Sequence, residues 1–549
     1  MGFKLELPFI LFISCLQFVC GLFLYTPVVE ISQGRLRGLR TFSGQNRYYG
    51  IPYAVSERFQ RPQAPEKWRG IFHAVSRFDS CAQAFAIFQL GKENCHLLDV
   101  YTPELQTPRR YKLPVLIYFH GGAYYYGSKW HYDAEFLVKN NVIVVTVNYR
   151  VGVLGFLCLN NIANLGLKDQ LAALKWIQKN IAAFGGDPDN VTISGQSAGA
   201  TSAGMHILSK RSTGLFHKAI LMSGVPLSPW AFNPEPLTPA FEDATKIAAV
   251  RSEQDVYNTF LKAPITDVLT VTRGSSIDPR YFKYSPCVDT NFSEPFFHDT
   301  PYNIITSGDF NKVPLMIGST DREGILFYGL NDQNTLNNLN DNFVDRLPSV
   351  FSWCSEKDKT QIAQQIRSHY FGQQKMNYRE SIKGGVDFYS DWIAYSASNA
   401  FSTLMAKYSD KPVYNYVFSY EGGRNFGKKV FGRGLDERGA SHSDDIFYVF
   451  KPGGLSLALG DSDKLVIDRI TTMLTNFMKF GDPIPHTSNL LPLHWPATTA
   501  NSSQVMRIDR ELTVTATPAH HQGGLLRELL CQHGLKGYVP CDSAMQCNL

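Results

Sequence analysis

The sequence predicts an α/β fold with a large, mostly parallel central sheet that carries helices on both faces. Three observations lead to this prediction. The chain has 549 residues, of which 44% are hydrophobic, which is enough for an extensive core. Short, continuous apolar runs are typical of parallel strands that are buried on both faces. Longer amphipathic segments separate these runs, and strands that alternate with helices form parallel sheets.

Six apolar runs are predicted as buried strands, at residues 115–119, 142–147, 191–194, 219–222, 313–317 and 413–418. Two amphipathic segments are predicted as helices. The first covers residues 168–184 and ends at the Gly-Gly-Asp-Pro sequence that begins at Gly185, and the second runs from about 463 to 480 and ends before Gly481. Their apolar stripes comprise Leu171, Leu174, Ile177 and Ile181 in the first helix, and Val466, Ile470, Met473, Leu474 and Phe477 in the second.

Composition narrows the possible partners and the domain count. The chain has 53 basic and 48 acidic residues, a formal net charge of +5, and no run of like charges. A nucleic-acid partner is therefore not expected. No fixed-period repeat or low-complexity linker divides the chain, so we expect a single domain over residues 22–549.

The N-terminal segment resembles a secretory signal. Lys4 precedes an uncharged stretch at residues 7–29, and the small residue Gly21 makes cleavage after residue 21 the expected processing step. An uncut signal anchor is the alternative, because the uncharged run nearly spans a bilayer. No later segment is apolar over the ~20 residues of a membrane helix. We therefore expect a signal peptide at residues 1–21 and an extracellular protein without a stable membrane anchor.

Cysteines and sequons fit an extracellular protein. Loss of Cys15 and Cys20 with the signal leaves eight of the ten cysteines. Cys81 and Cys95 are the expected disulfide pair. The pairing of Cys158, Cys287, Cys354, Cys531, Cys541 and Cys547 stays open. Asn190, Asn291 and Asn501 begin Asn-x-Ser/Thr sequons and are glycosylation candidates, although some matches arise by chance in a long chain.

A candidate nucleophile follows the predicted strand at residues 191–194. Gly195-Gln-Ser-Ala-Gly199 lies between this strand and a helical pattern, which is the strand-turn-helix context of a nucleophile elbow. The pentapeptide alone is weak evidence in a chain with 43 glycines, but its context predicts that Ser197 is the nucleophile of a serine hydrolase.

A glycine-rich loop follows the strand at residues 115–119. Its sequence is His120-Gly-Gly-Ala123, and its backbone N–H groups can face a developing oxyanion without obstruction by side chains. The alternative is an ordinary turn after a strand, but the elbow elsewhere in the chain favours the oxyanion loop.

Further motifs resemble the type-B carboxylesterase and cholinesterase-like family, in the order found in that family. They are Leu165-Gly-Leu-Lys-Asp-Gln170, Phe184-Gly-Gly-Asp-Pro-Asp-Asn-Val-Thr192, Gly318-Ser-Thr-Asp-Arg-Glu323-Gly and Gly439-Ala-Ser-His442-Ser-Asp-Asp445. The resemblance implies an α/β-hydrolase fold and a triad of Ser197, Glu323 and His442, in the order serine, acid, histidine that this fold uses.

The same resemblance implies the supporting residues. The oxyanion hole would comprise the N–H groups of Gly122, Ala123 and Ala198, and Ser223 would support the triad. Arg58 with Glu93, and Arg150 with Asp169, correspond to ion pairs that fix loops to the sheet. The implied substrate is a small-molecule ester, and the chemistry requires no metal or cofactor.

Departures from the family pattern bear on the substrate. Gln196 stands where the family often has Glu, and the loop between Cys81 and Cys95 is short and lacks the tryptophan with which cholinesterases engage choline. Both changes predict uncharged rather than cationic esters. The family block Glu-Asp-Cys-Leu-Tyr-Leu-Asn appears here as Glu-Asn-Cys-His96-Leu-Leu-Asp99, so its local hydrogen bonding is altered.

The motifs are closest to insect carboxylesterases, including juvenile hormone esterases and antennal esterases. The expected function is hydrolysis of uncharged, apolar carboxylic esters. Two alternatives are an inactive cholinesterase-like adhesion or binding protein and a lipase. The intact triad favours an enzyme, and the sequence does not indicate the oligomeric state.

Overall fold

The computed structural model describes residues 25–85, 88–104, 111–159, 162–273, 282–373, 375–432, 434–500, 502–516, 524–539 and 541. The predicted signal peptide, the sequon at Asn501, and Cys547 lie outside these residues. Among the helices in the described ranges, none has the combination of length and hydropathy that a membrane span requires.

The strands are β1 (Val29–Ile31), β2 (Gly34–Arg37), β3 (Leu39–Arg40), β4 (Asn46–Pro52), β5 (Ile71–His73), β6 (Gln83–Phe85), β7 (Phe88–Leu90), β8 (Leu97–Thr102), β9 (Leu113–Phe119), β10 (Tyr132–Asp133), β11 (Ile143–Val147), β12 (Gly186–Gln196), β13 (Lys218–Met222), β14 (Leu315–Thr320), β15 (Val413–Phe418), β16 (Lys451–Pro452), β17 (Gln504–Ile508) and β18 (Leu512–Ala516).

The α-helices are α1 (Glu135–Val138), α2 (Gly152–Phe156), α3 (Leu165–Asn180), α4 (Ala198–Leu208), α5 (Leu237–Ala244), α6 (Glu253–Lys262), α7 (Ile265–Thr272), α8 (Pro301–Ser307), α9 (Gly324–Gly329), α10 (Gln333–Asp341), α11 (Glu356–Phe371), α12 (Ile382–Ser390), α13 (Ser396–Tyr408), α14 (Phe426–Val430), α15 (Ile446–Val449), α16 (Asp461–Phe480) and α17 (Gly524–His533). Short 3-10 helices lie at Lys129–His131, Ile181–Phe184, Lys210–Ser212, Phe343–Arg346 and Ser349–Phe351, and a π-helical turn at Asp391–Tyr395.

The central sheet has 11 described strands in the order β18-β17-β15-β14-β13-β12-β9-β11-β8-β4-β3. Every neighbouring pair from β17 to β11 is parallel. The edge pairs are antiparallel, between β17 and β18 on one side and among β11, β8, β4 and β3 on the other. The predicted fold class is confirmed, and the parallel centre places the carboxyl ends of its strands along one edge.

Both faces of the sheet are buried under helices. On β9, Val115, Ile117 and Phe119 belong to one hydrophobic core, whereas Leu116 and Tyr118 belong to a second core on the opposite face. The apolar stripe of α3 packs in the first core and that of α16 in the second. Burial on both faces explains why the strands appear in the sequence as continuous apolar runs.

The six predicted strands all occur; the run at 413–418 coincides with β15, and the other five have shifted ends. The largest shift is at β12, which begins at Gly186 rather than at Val191. Gly186 pairs with Leu113, and the register then shifts before Val191 pairs with Val115. Because this irregular stretch contains polar residues, a search for continuous apolar runs does not detect it.

Both predicted helices end where glycine allows a left-handed backbone. The first is α3 followed by the 3-10 turn Ile181–Phe184, and Gly185 then has φ 82°. The second, α16, ends at Gly481 with φ 74°, and its start is capped by Asp463, whose Oδ2 accepts the Gly460 N–H at 2.9 Å.

The two expected ion pairs are formed. Arg58 Nη2 lies 2.6 Å from Glu93 Oε1, and Arg150 Nη2 lies 2.7 Å from Asp169 Oδ1. Burial acts to raise the pKa of Asp169, but the adjacent Arg150 and His96 outweigh it and lower that pKa. Because Asp169 is fully buried, loss of Arg150 would leave an uncompensated charge in the core.

Two residues that depart from the family block, His96 and Asp99, form ion pairs in the structure. His96 Nε2 lies 3.0 Å from Asp169 Oδ1, so the histidine joins the Arg150–Asp169 pair. Asp99, in place of the family asparagine, forms an ion pair of 2.8 Å with Lys129, and both side chains are fully buried. The extra carboxylate is thus matched by a buried cation.

Candidate active site

Ser197 lies between a strand and a helix at the carboxyl edge of the sheet. β12 ends at Gln196, α4 begins at Ala198, and Ser197 has φ 56° and ψ −125°. A residue with a Cβ atom is strained at such angles by about 1–3 kcal/mol, a cost found mainly at functional sites. The sharp turn projects the serine side chain away from the sheet.

The flanking glycines are required by close backbone packing. A Cβ atom on Gly195 would overlap the backbone of Gly199, and one on Gly199 would overlap the carbonyl oxygen of Phe119. The turn, α4 and β9 therefore approach one another more closely than side chains permit.

Glu323 and His442 form a hydrogen-bonded pair. His442 Nδ1 lies 2.5 Å from Glu323 Oε2. The other carboxylate oxygen accepts the Ser223 hydroxyl at 2.6 Å and the Thr320 N–H at 2.8 Å. Glu323 is fully buried, so these contacts fix its orientation. The carboxylate places the imidazole proton on Nδ1, which leaves Nε2 as a hydrogen-bond acceptor.

The side-chain amide of Gln196 forms a hydrogen bond with His442 Nε2, the acceptor atom of the imidazole. The Nε2 atoms of Gln196 and His442 are 3.2 Å apart, which fits donation from the amide to the imidazole. Within the described residues, the Ser197 hydroxyl has no hydrogen-bond partner, although Ser197 and His442 line the same cavity. Because a neutral imidazole nitrogen has one lone pair, transfer of the serine proton requires Gln196 to release it.

The glycine-rich loop lines the cavity beside Ser197. Gly122 has φ 109° and Ala123 has φ 55°, and a Cβ atom on Gly122 would overlap the carbonyl oxygen of Tyr126. The N–H groups of Gly122, Ala123 and Ala198 have no acceptor in the described part of the chain. Ala198 is the first residue of α4, where the helix dipole favours negative charge.

His120 supports this loop, a role that sequence reasoning did not assign. Burial lowers the pKa of His120 to about 3, so the imidazole is neutral. Its Nδ1 lies 2.9 Å from the Gly121 carbonyl oxygen, and its ring stacks on Tyr149 at 4.3 Å. Its place before the glycines was the signal that could have indicated this role.

The cavity in front of Ser197 has a volume of about 380 Å³, within the range of small-molecule sites. Its apolar lining comprises Leu90, Tyr126, Tyr132, Phe282, Leu326, Phe327, Phe426, Phe431, Ile446, Phe447 and Leu455. Among the described residues, no Asp, Glu, Lys or Arg side chain lines it. His131 also lines it, and burial lowers the pKa of His131 to about 4, so this ring is neutral as well.

Six aromatic residues flank the candidate catalytic segments in the sequence, and the structure divides them between the cavity wall and the core. Tyr126, Phe327 and Phe447 line the cavity. The other three, Tyr124, Tyr125 and Tyr328, are not in the cavity wall; Tyr328, for example, donates its hydroxyl to the Tyr378 carbonyl oxygen at 2.7 Å.

The loop between Cys81 and Cys95 contributes to the cavity wall. The two cysteines are bonded in the structure with Cα atoms 4.9 Å apart, and β6 and β7 form a hairpin between them. Gln83 and Leu90, at the ends of this hairpin, line the cavity, and Gln83 accepts the Gly127 N–H at 2.8 Å. Two pairings that the sequence left open are Cys158 with Cys287 and Cys531 with Cys541.

Replacement of both Cys81 and Cys95 by serine should lower the free energy of unfolding by about 3 kcal/mol on the chain-entropy estimate. It should also raise KM for a neutral ester, because the hairpin shapes the cavity wall. Urea denaturation and steady-state kinetics measure the two effects. The matched control removes the Cys531–Cys541 bridge, which closes a loop of similar length and should leave KM unchanged. Free thiols at Cys81 and Cys95 in peptide maps of non-reduced protein would refute the pairing.

The two described sequons differ in accessibility. Asn291 is exposed. Asn190 is half-buried, and its amide oxygen accepts the Lys218 ammonium at 2.6 Å. Within the described ranges, no group of three or more His, Cys, Asp and Glu side chains is arranged to hold a metal ion.

Comparisons with known proteins agree with the geometry. The sequence profile of the carboxylesterase family matches residues 25–524. The chain is 30% identical to a juvenile hormone esterase of Tribolium castaneum, with 95% of each chain covered. It is 31% identical to a bile salt-activated lipase of Rattus norvegicus, covering 94% of this chain and 87% of that one. The crystal structure of juvenile hormone esterase from Manduca sexta, with OTFP covalently attached, superposes with a TM-score of 0.80 at 27% identity, over 90% of this chain and 97% of that one.

Proposed function

The chain belongs to the carboxylesterase family, and we propose that it is a secreted serine esterase that hydrolyses uncharged, apolar esters. As a member of this family it is a carboxylic ester hydrolase. The residues proposed for the chemistry are Ser197 as nucleophile, His442 as base and Glu323 as the carboxylate that orients it.

In the proposed mechanism, the Ser197 oxygen attacks the ester carbonyl carbon while His442 Nε2 takes the hydroxyl proton. The carbonyl oxygen becomes an oxyanion that accepts hydrogen bonds from the N–H groups of Gly122, Ala123 and Ala198. His442 then donates the proton to the departing alcohol, which leaves an acyl group on Ser197. Water, deprotonated by His442, attacks the acyl carbon and releases the carboxylic acid and the free serine.

The cavity lining supports the proposed substrate class. Its described walls are mostly apolar and aromatic and carry no Asp, Glu, Lys or Arg side chain, so a charged group would lose its hydration there without gaining an ion pair. An apolar acyl chain or alcohol would gain from the same transfer, at about 25 cal/mol per Å² of apolar surface buried.

A series of p-nitrophenyl esters with increasing acyl length tests this proposal. The value of kcat/KM should rise with each added methylene while the acyl chain still fits the cavity, and then fall. Activity that is independent of acyl length, or that prefers an acyl group with a terminal charge, would contradict an apolar site.

A lipase is the second candidate, supported by the similarity to a bile salt-activated lipase over 94% of this chain. The same assay with emulsified long-chain triacylglycerol distinguishes the two. An esterase should favour the dissolved ester, whereas a lipase should favour the emulsion.

Secretion and glycosylation rest on sequence signals together with residue exposure. We propose that residues 1–21 are removed, and that Asn291 is a better glycan acceptor than Asn190 because it is exposed. Mass spectrometry of protein collected from a eukaryotic expression medium should find Leu22 at the N-terminus and a glycan on Asn291. A retained leader, or a glycan on Asn190 alone, would refute these assignments.

The variant Gln196→Glu should move specificity toward cationic esters. The substitution places a carboxylate beside His442, in a cavity with no Asp, Glu, Lys or Arg in its described wall. The quantity to compare is kcat/KM for acetylthiocholine divided by kcat/KM for a neutral thioester with the same acyl group. We expect this ratio to rise about tenfold, the equivalent of about 1.4 kcal/mol. Wild type should prefer the neutral thioester.

The control for that experiment is Gln196→Met, which removes the hydrogen bond to His442 but adds no charge. It should leave the cation-to-neutral ratio unchanged. A wild type that favours acetylthiocholine would overturn the proposed preference for uncharged esters.

A further inference from the structure

A second, basic cavity lies next to the substrate cavity. This cleft has a volume of about 650 Å³, and five cationic side chains line it, namely Arg47, Arg77, Lys139, Arg424 and Lys451. Only two carboxylates, Asp133 and Glu135, lie among its described lining residues. We call it the basic cleft.

Arg424 is the most unusual residue of the basic cleft. It is 3% exposed, and the structure records no ion pair for it among the described residues. Its Nε donates to the Phe447 carbonyl oxygen at 2.5 Å, but its buried Nη2 has no hydrogen-bond acceptor in the described part of the chain. Burial lowers the pKa of this guanidinium. A buried cation with an unsatisfied donor is costly unless a ligand or water completes it.

The two carboxylates are already shared among the other cations. Asp133 Oδ2 lies 2.8 Å from Arg47 Nη1 and 3.3 Å from Arg77 Nη2. Glu135 lies 2.8 Å from Lys451 and also contacts Lys139 at 3.6 Å. The Nε atoms of both Arg47 and Arg77 are buried without an acceptor among the described residues. The described wall therefore has more cationic side chains than carboxylates, and some of its hydrogen-bond donors have no acceptor.

Most of the remaining wall of the basic cleft is apolar. Phe136, Leu457 and Leu459 line it, and the Phe136 ring lies 5.3 Å from the Arg424 guanidinium carbon. Leu459 is 45% exposed, so this part of the wall opens to solvent. Apolar side chains beside an excess of cations match a ligand with an anionic head and an apolar body.

A short ladder separates the basic cleft from the substrate cavity. β10 pairs with β16, and successive residues of β10 point to opposite sides. Tyr132 accordingly lines the substrate cavity, whereas Asp133 lines the basic cleft, and Leu455 lines both. A ligand in the basic cleft would therefore contact the wall of the substrate cavity.

We propose that the basic cleft binds a small amphipathic anion, with a carboxylate or sulfate head on Arg424 and Lys451 and an apolar body against Leu457 and Leu459. The proposal is independent of the proposed function, since it uses neither Ser197 nor His442.

Isothermal titration of the full-length protein with octyl sulfate, below its micelle concentration, tests this site. Octyl glucoside has the same tail with a neutral head, and inorganic sulfate has the head without the tail. Octyl sulfate should bind at least about tenfold more tightly than either probe, since each missing part removes about 1.4 kcal/mol or more. Equal binding of octyl glucoside would overturn the anionic head, and equal binding of inorganic sulfate would overturn the apolar body.

Variants locate the bound probe. Arg424→Gln and Lys451→Gln should each weaken octyl sulfate binding, by about tenfold for the buried arginine and about threefold for the half-exposed lysine. The control is Lys464→Gln, whose side chain is 56% exposed against 52% for Lys451 and also pairs with one carboxylate. Lys464 is not in the cleft wall and its loss should change nothing. If Arg424→Gln fails to fold, Lys451→Gln alone decides, and unchanged binding in it refutes the site.

Discussion

Replacement of Ser197 by alanine should lower kcat for ester hydrolysis by about four orders of magnitude or more. The substitution removes the oxygen that we propose as the nucleophile, and the proposed oxyanion donors then have no tetrahedral adduct to stabilise. It keeps the Cβ atom and with it the strained backbone at φ 56°. Since the hydroxyl has no hydrogen-bond partner among the described residues, Tm should change little. Steady-state kinetics with p-nitrophenyl acetate and a thermal melt measure both quantities.

Ser202→Ala is the matched control for that variant. Ser202 lies on the same helix, α4, is fully buried, and donates its hydroxyl to the Ala198 carbonyl at 2.8 Å. Its loss should cost some stability and little activity. A Ser197→Ala protein that keeps more than about a tenth of wild-type kcat would exclude this serine as the nucleophile.

Replacement of Glu323 by glutamine should lower kcat/KM by about 10³ to 10⁴. The carboxylate holds the imidazole proton on Nδ1 of His442, across 2.5 Å. A glutamine amide can instead donate to Nδ1, which moves the imidazole proton to Nε2 and removes the acceptor that Ser197 needs. The two side chains have nearly the same shape, so the fold should be preserved. Steady-state kinetics measure the loss of activity, and thermal melts measure whether stability is retained.

Asp445→Asn is the control for a buried carboxyl-to-amide change in the same region. Burial raises the pKa of Asp445 to about 7, and its carboxyl accepts the Tyr416 hydroxyl at 3.3 Å rather than a proton of His442. We expect less than about a tenfold change in kcat/KM from this variant. Equal losses in Glu323→Gln and Asp445→Asn would contradict a specific role for Glu323.

The fold was predictable where one local pattern decides the outcome. The run at residues 413–418 coincides with β15, because every residue of that strand is buried and five of its six residues are aliphatic or aromatic. Gly185 and Gly481 both stop helices with a left-handed backbone, which is a property of single residues. The start of β12 was not predictable, since its first pair, Gly186 with Leu113, forms across an irregular polar stretch.

In the candidate site too, the features marked by a local motif were predictable, and those that depend on tertiary packing were not. Ser197, Glu323 and His442 each lie in a recognisable motif, and the structure brings the last two into contact. The contact between Gln196 and His442 joins residues 246 positions apart and depends on how the turn aims the glutamine. Phe282 and Leu455 line the cavity from segments with no motif of their own, because tertiary packing alone places them there.

The most direct test of Ser197 as the nucleophile is covalent labelling with a fluorophosphonate, measured by intact mass. The reagent phosphonylates a serine only where a base and an oxyanion hole activate it. Wild type should gain the mass of one adduct, and Ser197→Ala should gain none. An adduct that persists in Ser197→Ala, or a folded wild type that never reacts, would contradict the assignment.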